Sequence, residues 1–384
     1  MSDHDIASLL RDFGQHHCPE EPLYQRLCER LAQSSQACGW LAAAEPTQRK
    51  ANLLLAAMHD QVLAEPSALG AWFASAGGTR APDDAGLDTA LEDFLQAHAA
   101  TLAHSVRTRS TQTNEVGRCA VLWLLLQDLT RARRPLGSTE PVRMALFDFG
   151  CSAGLNLGLP WMGMTLRSPR LPGRQTSHPA TGPDAPQLSC ELIGPWPPHA
   201  DAPTAFELTH RAGVDPALID LHQPEAVRWL RACLWPSDTV RRQRLDAAIA
   251  LARAHPAALH QAPAGQGCLQ VLEAWLERLP KDTWPIILNT WVLYYASGPA
   301  LAEHRSTLQH LLRRHRATWV SAEDLHTSTT LFGSPPTLPP VHGVGRDQDH
   351  AQTFWVTAQA PEGELQARYV ARSHPHGQWV RWDA

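Results

Sequence analysis

The chain of 384 residues has little charge of either sign and no long apolar run. Charged residues make up only 18% of it, and a formal net charge of −5 argues against a strongly basic surface for a nucleic acid. The longest uninterrupted apolar stretch, Ala120–Leu126, is far shorter than the roughly 20 residues of a bilayer-spanning helix. The acidic start MSDHDIASLLRDF lacks the basic region and apolar core of a secretory signal, which predicts a cytoplasmic protein. A small-molecule substrate is therefore favoured over a nucleic acid or a membrane.

Cysteines and histidines are present, but without the spacings of a disulfide framework or a metal site. The eight cysteines include no C-x-x-C pair and lie in apolar or helical contexts, which predicts reduced, buried thiols. The twenty histidines include neither H-E-x-x-H nor another close ligand pair, so no metal is expected. With 43% hydrophobic residues, a chain of this length can bury the cores of two or three domains.

The hydrophobic pattern changes near Pro141 and divides the chain into two predicted domains. Before it, apolar residues recur every three to four positions, as in QRKANLLLAAMHDQVL, which predicts a helical cap domain over 1–138. After it, strands such as VRMALFDFG and FELTHRAGVD alternate with helices, which predicts an α/β domain with a mostly parallel sheet over 139–384. Proline, glycine and serine at about 160–205 predict an insertion. The closing run TFWVTAQA, ARYVARSH and QWVRWDA predicts antiparallel edge strands.

The segment ALFDFGCSAGLNLG, residues 145–158, allows two functional interpretations. As G-x-S-x-G it would present Ser152 as the nucleophile of a serine hydrolase. No oxyanion loop precedes it, and downstream residues such as Asp324 and His342 could complete a Ser-His-Asp set. As a strand, a glycine turn and a helix, it would bring the backbone at Gly150 and Gly154 close to a nucleotide-like cofactor. A serine at the middle position favours S-adenosylmethionine, which has no phosphates, over a dinucleotide. Asp148 would then orient the turn or meet the ammonium group of the cofactor.

The same segment, from Asp148 to Asn156, resembles the first motif of the class I S-adenosylmethionine-dependent methyltransferases. Over most of its length the chain resembles an uncharacterised bacterial domain-of-unknown-function family built on that fold, through QRKANLLLAAMHD, TQTNEVGR, FGCSAGLNL, RWLRACLWP and ILNTWVLYY. The resemblance implies a Rossmann-like class I methyltransferase fold with an α-helical N-terminal domain, and S-adenosylmethionine as cofactor. It implies cofactor contacts from Asp148, Gly150, Ser152, Gly154 and Asn156. The alternative to an enzyme is a methyltransferase-like protein that binds its ligand without catalysing a reaction.

In methyltransferases of this class, an acidic residue at the end of the second strand binds the ribose hydroxyls. Asp215 is the best candidate, with Glu191 and Asp220 as rivals, and an ordinary turn at Asp215-Pro216 is the structural alternative. The predicted strand PIILNTWVLYYAS ends where open α/β sheets collect their ligands. Its candidate catalytic residues, which would align or deprotonate a nucleophile, are Asn289, Tyr294 and Tyr295.

The motif TQTNEVGR places two charges and two hydrogen-bonding groups within about a turn and a half of helix. An arginine here could hold a carboxylate of the cofactor or the substrate through two hydrogen bonds. A capped helix start with a surface ion pair is the structural alternative. The candidate substrate-binding residues are Arg109, Thr113, Asn114, Glu115 and Arg118.

Overall fold

The structure is a computed structural model that describes residues 3–112, 114–134, 138–182, 184–338, 341 and 352–383. The helices in these ranges are α1 (Asp3–Asp12), α2 (Pro22–Leu31), α3 (Ser35–Ala42), α4 (Ala51–Ala64), α5 (Leu87–Ala97), α6 (Ala99–Thr108), α7 (Cys119–Arg133), α8 (Pro224–Ala232), α9 (Thr239–Ala254), α10 (Gln266–Leu276), α11 (Gly298–His315) and α12 (Leu325–Phe332). The strands are β1 (Val142–Phe149), β2 (Gly163–Arg167), β3 (Gln175–His178), β4 (Gln187–Leu192), β5 (Phe206–Asp215), β6 (Ala258–Gln261), β7 (Trp284–Thr290), β8 (Thr318–Glu323), β9 (Thr353–Gln359), β10 (Gln366–Ser373) and β11 (Trp379–Trp382).

All of these strands belong to one sheet, in the order β3-β2-β4-β11-β10-β9-β8-β7-β1-β5-β6. The run β6-β5-β1-β7-β8 is parallel throughout. Strands β8 to β11 pair antiparallel, β11 and β2 each pair parallel with β4, and β3 pairs antiparallel with β2. The fold is therefore α/β with a large, mostly parallel sheet, as the alternation of strands and helices predicted.

The predicted position of the closing strands is wrong in one respect. Strands β9, β10 and β11 are antiparallel, as expected, but they lie inside the sheet and not at its edge. The segment predicted as an insertion at about 160–205 supplies β2, β3 and β4, and these strands extend the sheet beyond β11. Alternate residues of β4 are buried, at Leu188, Cys190 and Leu192, which gives this strand a core-facing side.

The central strand β1 is buried on both faces because helices cover both sides of the sheet. Phe147 and Phe149 pack in one cluster with Leu272 of α10 and Leu308 of α11. Since successive side chains of a strand point to opposite faces, Asp148 points to the other side. Helix α7 contacts β5 and the segment after β1, and its residues from Cys119 to Thr130 are buried.

The chain divides into two compact units, Met1–Asn114 with Asp220–Leu245, and Glu115–Ile219 with Asp246–Ala384. This division differs from the predicted boundary after residue 138. Within the first unit, α8 is tied to the N-terminal helices: Trp229 is buried in their core and its Nε1 donates to the Ser110 carbonyl at 2.9 Å. Arg228 donates to the Asp60 carboxylate at 2.9 Å, so this arginine has a structural partner. The second unit contains α7 and the whole sheet.

Among the described helices, none is long and apolar enough to cross a membrane. The eight cysteines are free thiols, and all except the half-buried Cys233 are buried. In the part of the chain that the structure describes, no group of three or more histidine, cysteine, aspartate or glutamate residues could hold a metal ion.

Candidate functional site

The candidate site lies where the strand order reverses, at β1. This strand pairs with β5 on one side and with β7 on the other, and all three run parallel, so their carboxyl ends meet at one edge of the sheet. In open α/β sheets, ligands bind in the crevice outside these carboxyl ends. Phe149 ends β1 opposite Val214 of β5 and Asn289 of β7, and the glycine turn 150–154 leaves the sheet at this point.

The backbone of the turn is left-handed at three of its five residues. The φ angles are +79° at Gly150, +51° at Ser152 and +70° at Gly154. Glycine adopts this region without penalty, whereas a serine is strained in it. A Cβ on Gly150 would also lie within 2.7 Å of the Val292 Cβ, so the close approach of the two segments requires a glycine.

The helix predicted after this turn is a short 3-10 segment and not an α-helix. It spans Leu155–Trp161 and contains Pro160, which has no N–H for a helical hydrogen bond and disfavours the α conformation at the preceding residue. The turn is therefore not followed by the row of free N–H groups that begins an α-helix. Contacts from β5 and from side chains hold the turn instead.

The end of β5 holds the turn through hydrogen bonds to a backbone carbonyl and to a side-chain carboxylate. The Val214 carbonyl accepts hydrogen bonds from the Gly150 and Cys151 N–H groups, at 2.8 and 3.1 Å. The buried Asp215 accepts the Ser152 N–H at one oxygen and the Ala217 N–H at the other, both at 2.8 Å. Each carboxylate oxygen retains a further lone pair for a ligand hydroxyl. Asp215 therefore lies beside the turn, although it comes 66 positions after Phe149 in the sequence.

The two rival acids have other surroundings in the structure. Glu191 is an exposed residue of β4, which pairs with β2 and β11 and not with β1 or β5. Asp220 belongs to the first unit, where its carboxylate accepts the His222 N–H at 2.9 Å. Asp215 is therefore the predicted acid that the structure shows hydrogen-bonded to the glycine turn.

Asp148 is fully buried and has an unsatisfied oxygen. Its Oδ2 accepts a hydrogen bond from Asn156 Nδ2 at 3.2 Å, whereas Oδ1 has no hydrogen-bond partner among the described residues. Burial raises the pKa of the Asp148 carboxyl to about 7; the Asn156 hydrogen bond opposes this rise, and the charge of Asp215 adds to it. A buried acceptor without a partner is rare in folded proteins, and a ligand donor would satisfy it. This carboxyl is therefore the strongest ligand-binding feature of the site.

Two of the predicted substrate-binding residues, Glu115 and Arg118, are buried just before α7. Arg118 is 3% exposed, and its charge favours the ionised form of Asp148 and so lowers the pKa of that carboxyl. Its Nε donates to the Pro375 carbonyl at 2.7 Å, which fixes the guanidinium. Burial, and then the carboxylates of Asp148 and Glu115, raise the pKa of the intervening Cys119 thiol. A buried cation and a buried carboxyl therefore stand near each other beside the glycine turn.

The end of β7 is occupied by an internal hydrogen-bond network. Asn289 donates to Glu323 Oε1 at 2.7 Å and to Ser321 Oγ at 3.1 Å, and its Oδ1 accepts Trp319 Nε1 at 2.5 Å. Glu323 also accepts the N–H groups of residues 292, 293 and 294. Burial raises the pKa of the Glu323 carboxyl to about 7, and these hydrogen bonds oppose the rise. In the structure, Asn289 therefore supports the segment after β7.

Sequence reasoning missed Glu323 and the strained backbone that it supports. Trp291 has a φ of +52°, an unusual value for a tryptophan, and its Nε1 donates to Thr353 Oγ1 at 2.8 Å. The signal was available, because Glu323 is an acidic residue inside the apolar run ATWVSAEDL. A strained residue persists only where many surrounding contacts hold it, and such residues often mark functional sites.

An exposed aromatic cluster follows this network. The rings of Trp291 and Tyr294 lie 5.9 Å apart, and those of Tyr294 and Tyr295 lie 5.3 Å apart. The two tyrosines are 47% and 42% exposed, so neither belongs to the core. Trp291 also lies 6.0 Å from the Arg118 guanidinium, which connects the cluster to the buried charges. The predicted catalytic tyrosines are thus accessible to a substrate.

The remaining predicted residues lie elsewhere. Arg109 belongs to the first unit, where its guanidinium lies 4.7 Å from the ring centroid of Trp229, and Asn114 ends the first segment of that unit. Thr113 and His342 lie outside the described residues. Asp324, a possible hydrolase acid, caps α12 by accepting the Thr327 N–H at 2.7 Å.

Comparison with known proteins assigns the family. A family model described as "Uncharacterized protein conserved in bacteria (DUF2332)" matches residues 7–382. The chain belongs to this family. A search of curated proteins found no match.

Proposed function

We propose that this DUF2332 protein binds S-adenosylmethionine at the glycine turn and transfers its methyl group to a small molecule. The unsatisfied Asp148 oxygen, buried close to Arg118 at the carboxyl end of β1, carries this proposal. The parallel run β6-β5-β1-β7-β8 supports it, since it has the 3-2-1-4-5 strand order of a Rossmann-like sheet. We further propose that the sheet is a variant of the class I methyltransferase fold.

The residues at the turn suit the chemical groups of this cofactor. Its amino-acid part carries an ammonium and a carboxylate, which would be complementary to Asp148 and Arg118. Its ribose hydroxyls would donate to the lone pairs that Asp215 retains. The backbone of Gly150, Ser152 and Gly154 would lie along the cofactor, and Asn156 would keep the Asp148 carboxyl in place through their hydrogen bond.

When bound, S-adenosylmethionine would supply a methyl group already activated on a sulfonium, so the protein mainly has to position the acceptor. Holding two reactants in the right geometry can contribute up to roughly 7–11 kcal/mol without a nucleophilic side chain. Tyr294 and Tyr295, exposed after β7, would contact the acceptor or receive its proton. Asn289 would act through Glu323, which holds the N–H groups of the segment carrying these tyrosines.

Calorimetric titration of the full-length chain with S-adenosylhomocysteine and S-adenosylmethionine tests the proposal. The unchanged protein is expected to bind both with one site. Asp148→Asn is expected to bind at least about tenfold more weakly, because a hydrogen bond to a charged group contributes roughly 1.5–3 kcal/mol. The matched control, Asp282→Asn, removes an exposed carboxylate that pairs with Arg143, and should bind like the unchanged protein. Absence of binding to either compound at millimolar concentration would exclude the proposal.

A serine hydrolase is the second candidate, favoured by the left-handed backbone at Ser152, which resembles the strained turn of a nucleophile elbow. Labelling by a fluorophosphonate probe that is lost in Ser152→Ala would support it. The methyltransferase proposal predicts no labelling, and predicts that Ser152→Gly still binds S-adenosylhomocysteine. Glycine at this position keeps the turn and relieves the strain of the positive φ.

A further inference from the structure

A cavity of about 300 Å³ lies in the second unit, and none of its lining residues belongs to the glycine turn. Its walls come from α7, the segment between β4 and β5, and strands β10 and β11. Asp128 on its wall is nine residues beyond Cys119 in α7, which corresponds to about 14 Å along the helix axis. Cavities of this size accommodate small organic ligands.

One buried side chain in this cavity lacks hydrogen-bond partners. His199 is 4% exposed, and neither ring nitrogen has a hydrogen-bond partner among the described residues. Its Nδ1 lies 3.8 Å from the Asp128 carboxylate, which is beyond hydrogen-bond distance. Burial lowers the pKa of His199, an effect that the charge of Asp128 opposes, so the neutral ring offers one donor and one acceptor. A ligand hydroxyl could satisfy one of these two nitrogens.

The other walls combine flat apolar surfaces with positive charge. The His199 ring packs edge-on against Trp382 at 4.7 Å, and Trp196 and three prolines complete the apolar side. Three arginines line the cavity, Arg131, Arg368 and Arg381, together with two aspartates, Asp128 and Asp383. The charged side chains among the described lining residues therefore have a net charge of one positive unit. Flat walls favour a planar ring, and the excess positive charge favours a carboxylate.

The segment that carries His199 is held in place without a ligand. Gln127 of α7 donates to the carbonyls of Ala202 and Pro203, at 3.2 and 3.1 Å, and accepts the Ala205 N–H at 3.0 Å. Asp383 accepts hydrogen bonds from Arg372 and Arg381 at 2.8 to 3.0 Å. The cavity therefore has anchored walls, and its unsatisfied imidazole is a fixed feature.

We propose that this cavity is a binding site for a small hydroxyaryl carboxylate, with the ring between the tryptophan and proline walls, the hydroxyl on His199 and the carboxylate on the arginines. The proposal does not depend on the function assigned to the glycine turn. It names a ligand class and not a reaction.

Calorimetry with three matched probes tests this assignment on the full-length chain. We expect 4-hydroxyphenylacetate to bind with one site, and phenylacetate, which lacks the hydroxyl, to bind at least about tenfold more weakly. The amide 4-hydroxyphenylacetamide, which lacks the charge, should not bind at millimolar concentration. Equal affinity for all three probes, or no binding of 4-hydroxyphenylacetate, would overturn the proposal.

His199→Phe separates binding from folding. The substitution keeps a ring against Trp382 and removes two buried nitrogens that lack hydrogen bonds, so the Tm should stay the same or rise. Affinity for 4-hydroxyphenylacetate should fall at least about tenfold. Unchanged affinity in this variant, or displacement of the probe by S-adenosylhomocysteine, would contradict the assignment; if the variant does not fold, the probe series on the unchanged protein decides.

Discussion

At the scale of single residues, Asp148 combines deep burial with an unsatisfied oxygen. Burial raises the pKa of its carboxyl from an ordinary value of 3.8 to about 7. Between these values the folded protein retains a proton that the unfolded chain has lost, so stability falls as pH rises from about 4 to about 7. A ligand that supplies a positive group would remove this instability, which connects the pKa of Asp148 to binding.

The corresponding prediction concerns the pH dependence of stability in Asp148→Asn. The variant cannot ionise, so its free energy of unfolding should exceed that of the unchanged protein increasingly as pH rises from 4 to 7. Above pH 7 the difference should level off, at a value on the order of a few kcal/mol. Denaturant unfolding at several pH values measures it. A difference that stays constant across this range would show that folding does not shift the pKa of Asp148.

The sequence identified some residues of the site and not others, for a physical reason. Asp148 and Asp215 lie at the ends of recognisable strands and the turn glycines follow one, so their place at the carboxyl edge could be predicted. Asn289 could also be placed, but its partners Glu323 and Trp319 come from β8, and only the sheet register brings them together. Patterns along the chain locate a residue on its element, whereas the partner of a buried polar group depends on tertiary packing.

At the scale of elements, the glycine turn depends on the close approach of the segment after β7. Gly150→Ala should lower the free energy of unfolding by at least about 1–2 kcal/mol, because alanine is strained at a φ of +79° and its Cβ would overlap Val292. Adding Val292→Ala should restore part of the loss, since it removes the overlap with the two Val292 Cγ atoms but leaves the contact with its Cβ and the strain of the positive φ. Gly298→Ala, at the start of α11 where a Cβ meets no atom within 4 Å, is the matched control.

Thermal or denaturant unfolding of these three variants measures the effect. The control should be neutral or slightly stabilising, because alanine favours a helix by up to about 1 kcal/mol over glycine. If Gly150→Ala were as stable as Gly298→Ala, the turn at Gly150 and the segment at Val292 would not approach each other as closely as the structure shows.

The elements themselves were predictable where burial leaves a strong pattern. Strands β1, β5 and β7 and helix α4 appear where their sequences indicated. The short β6, with the sequence ALHQ, is mostly exposed and has no hydrophobic pattern that could reveal it. Strands β2 to β4 were obscured by the prolines and glycines between them. Their pairing with β11 is long-range and could not be read from local composition.

At the scale of the whole molecule, the sheet order makes the site possible. Residues far apart in sequence meet at the carboxyl ends of β1, β5 and β7 because these parallel strands are neighbours at the point where the order reverses. Two further features of the second unit, the exposed aromatic cluster and the His199 cavity, are proposed to take different ligands. Binding at one should therefore leave binding at the other unchanged.

The most direct test of the central proposal is a crystal structure of the full-length chain with S-adenosylhomocysteine. We predict density at the turn 150–154, with the ligand ammonium within hydrogen-bond distance of Asp148 Oδ1 and its carboxylate facing Arg118. An empty turn at saturating ligand, or a histidine nitrogen hydrogen-bonded to Ser152 Oγ in place of the ligand, would contradict the account.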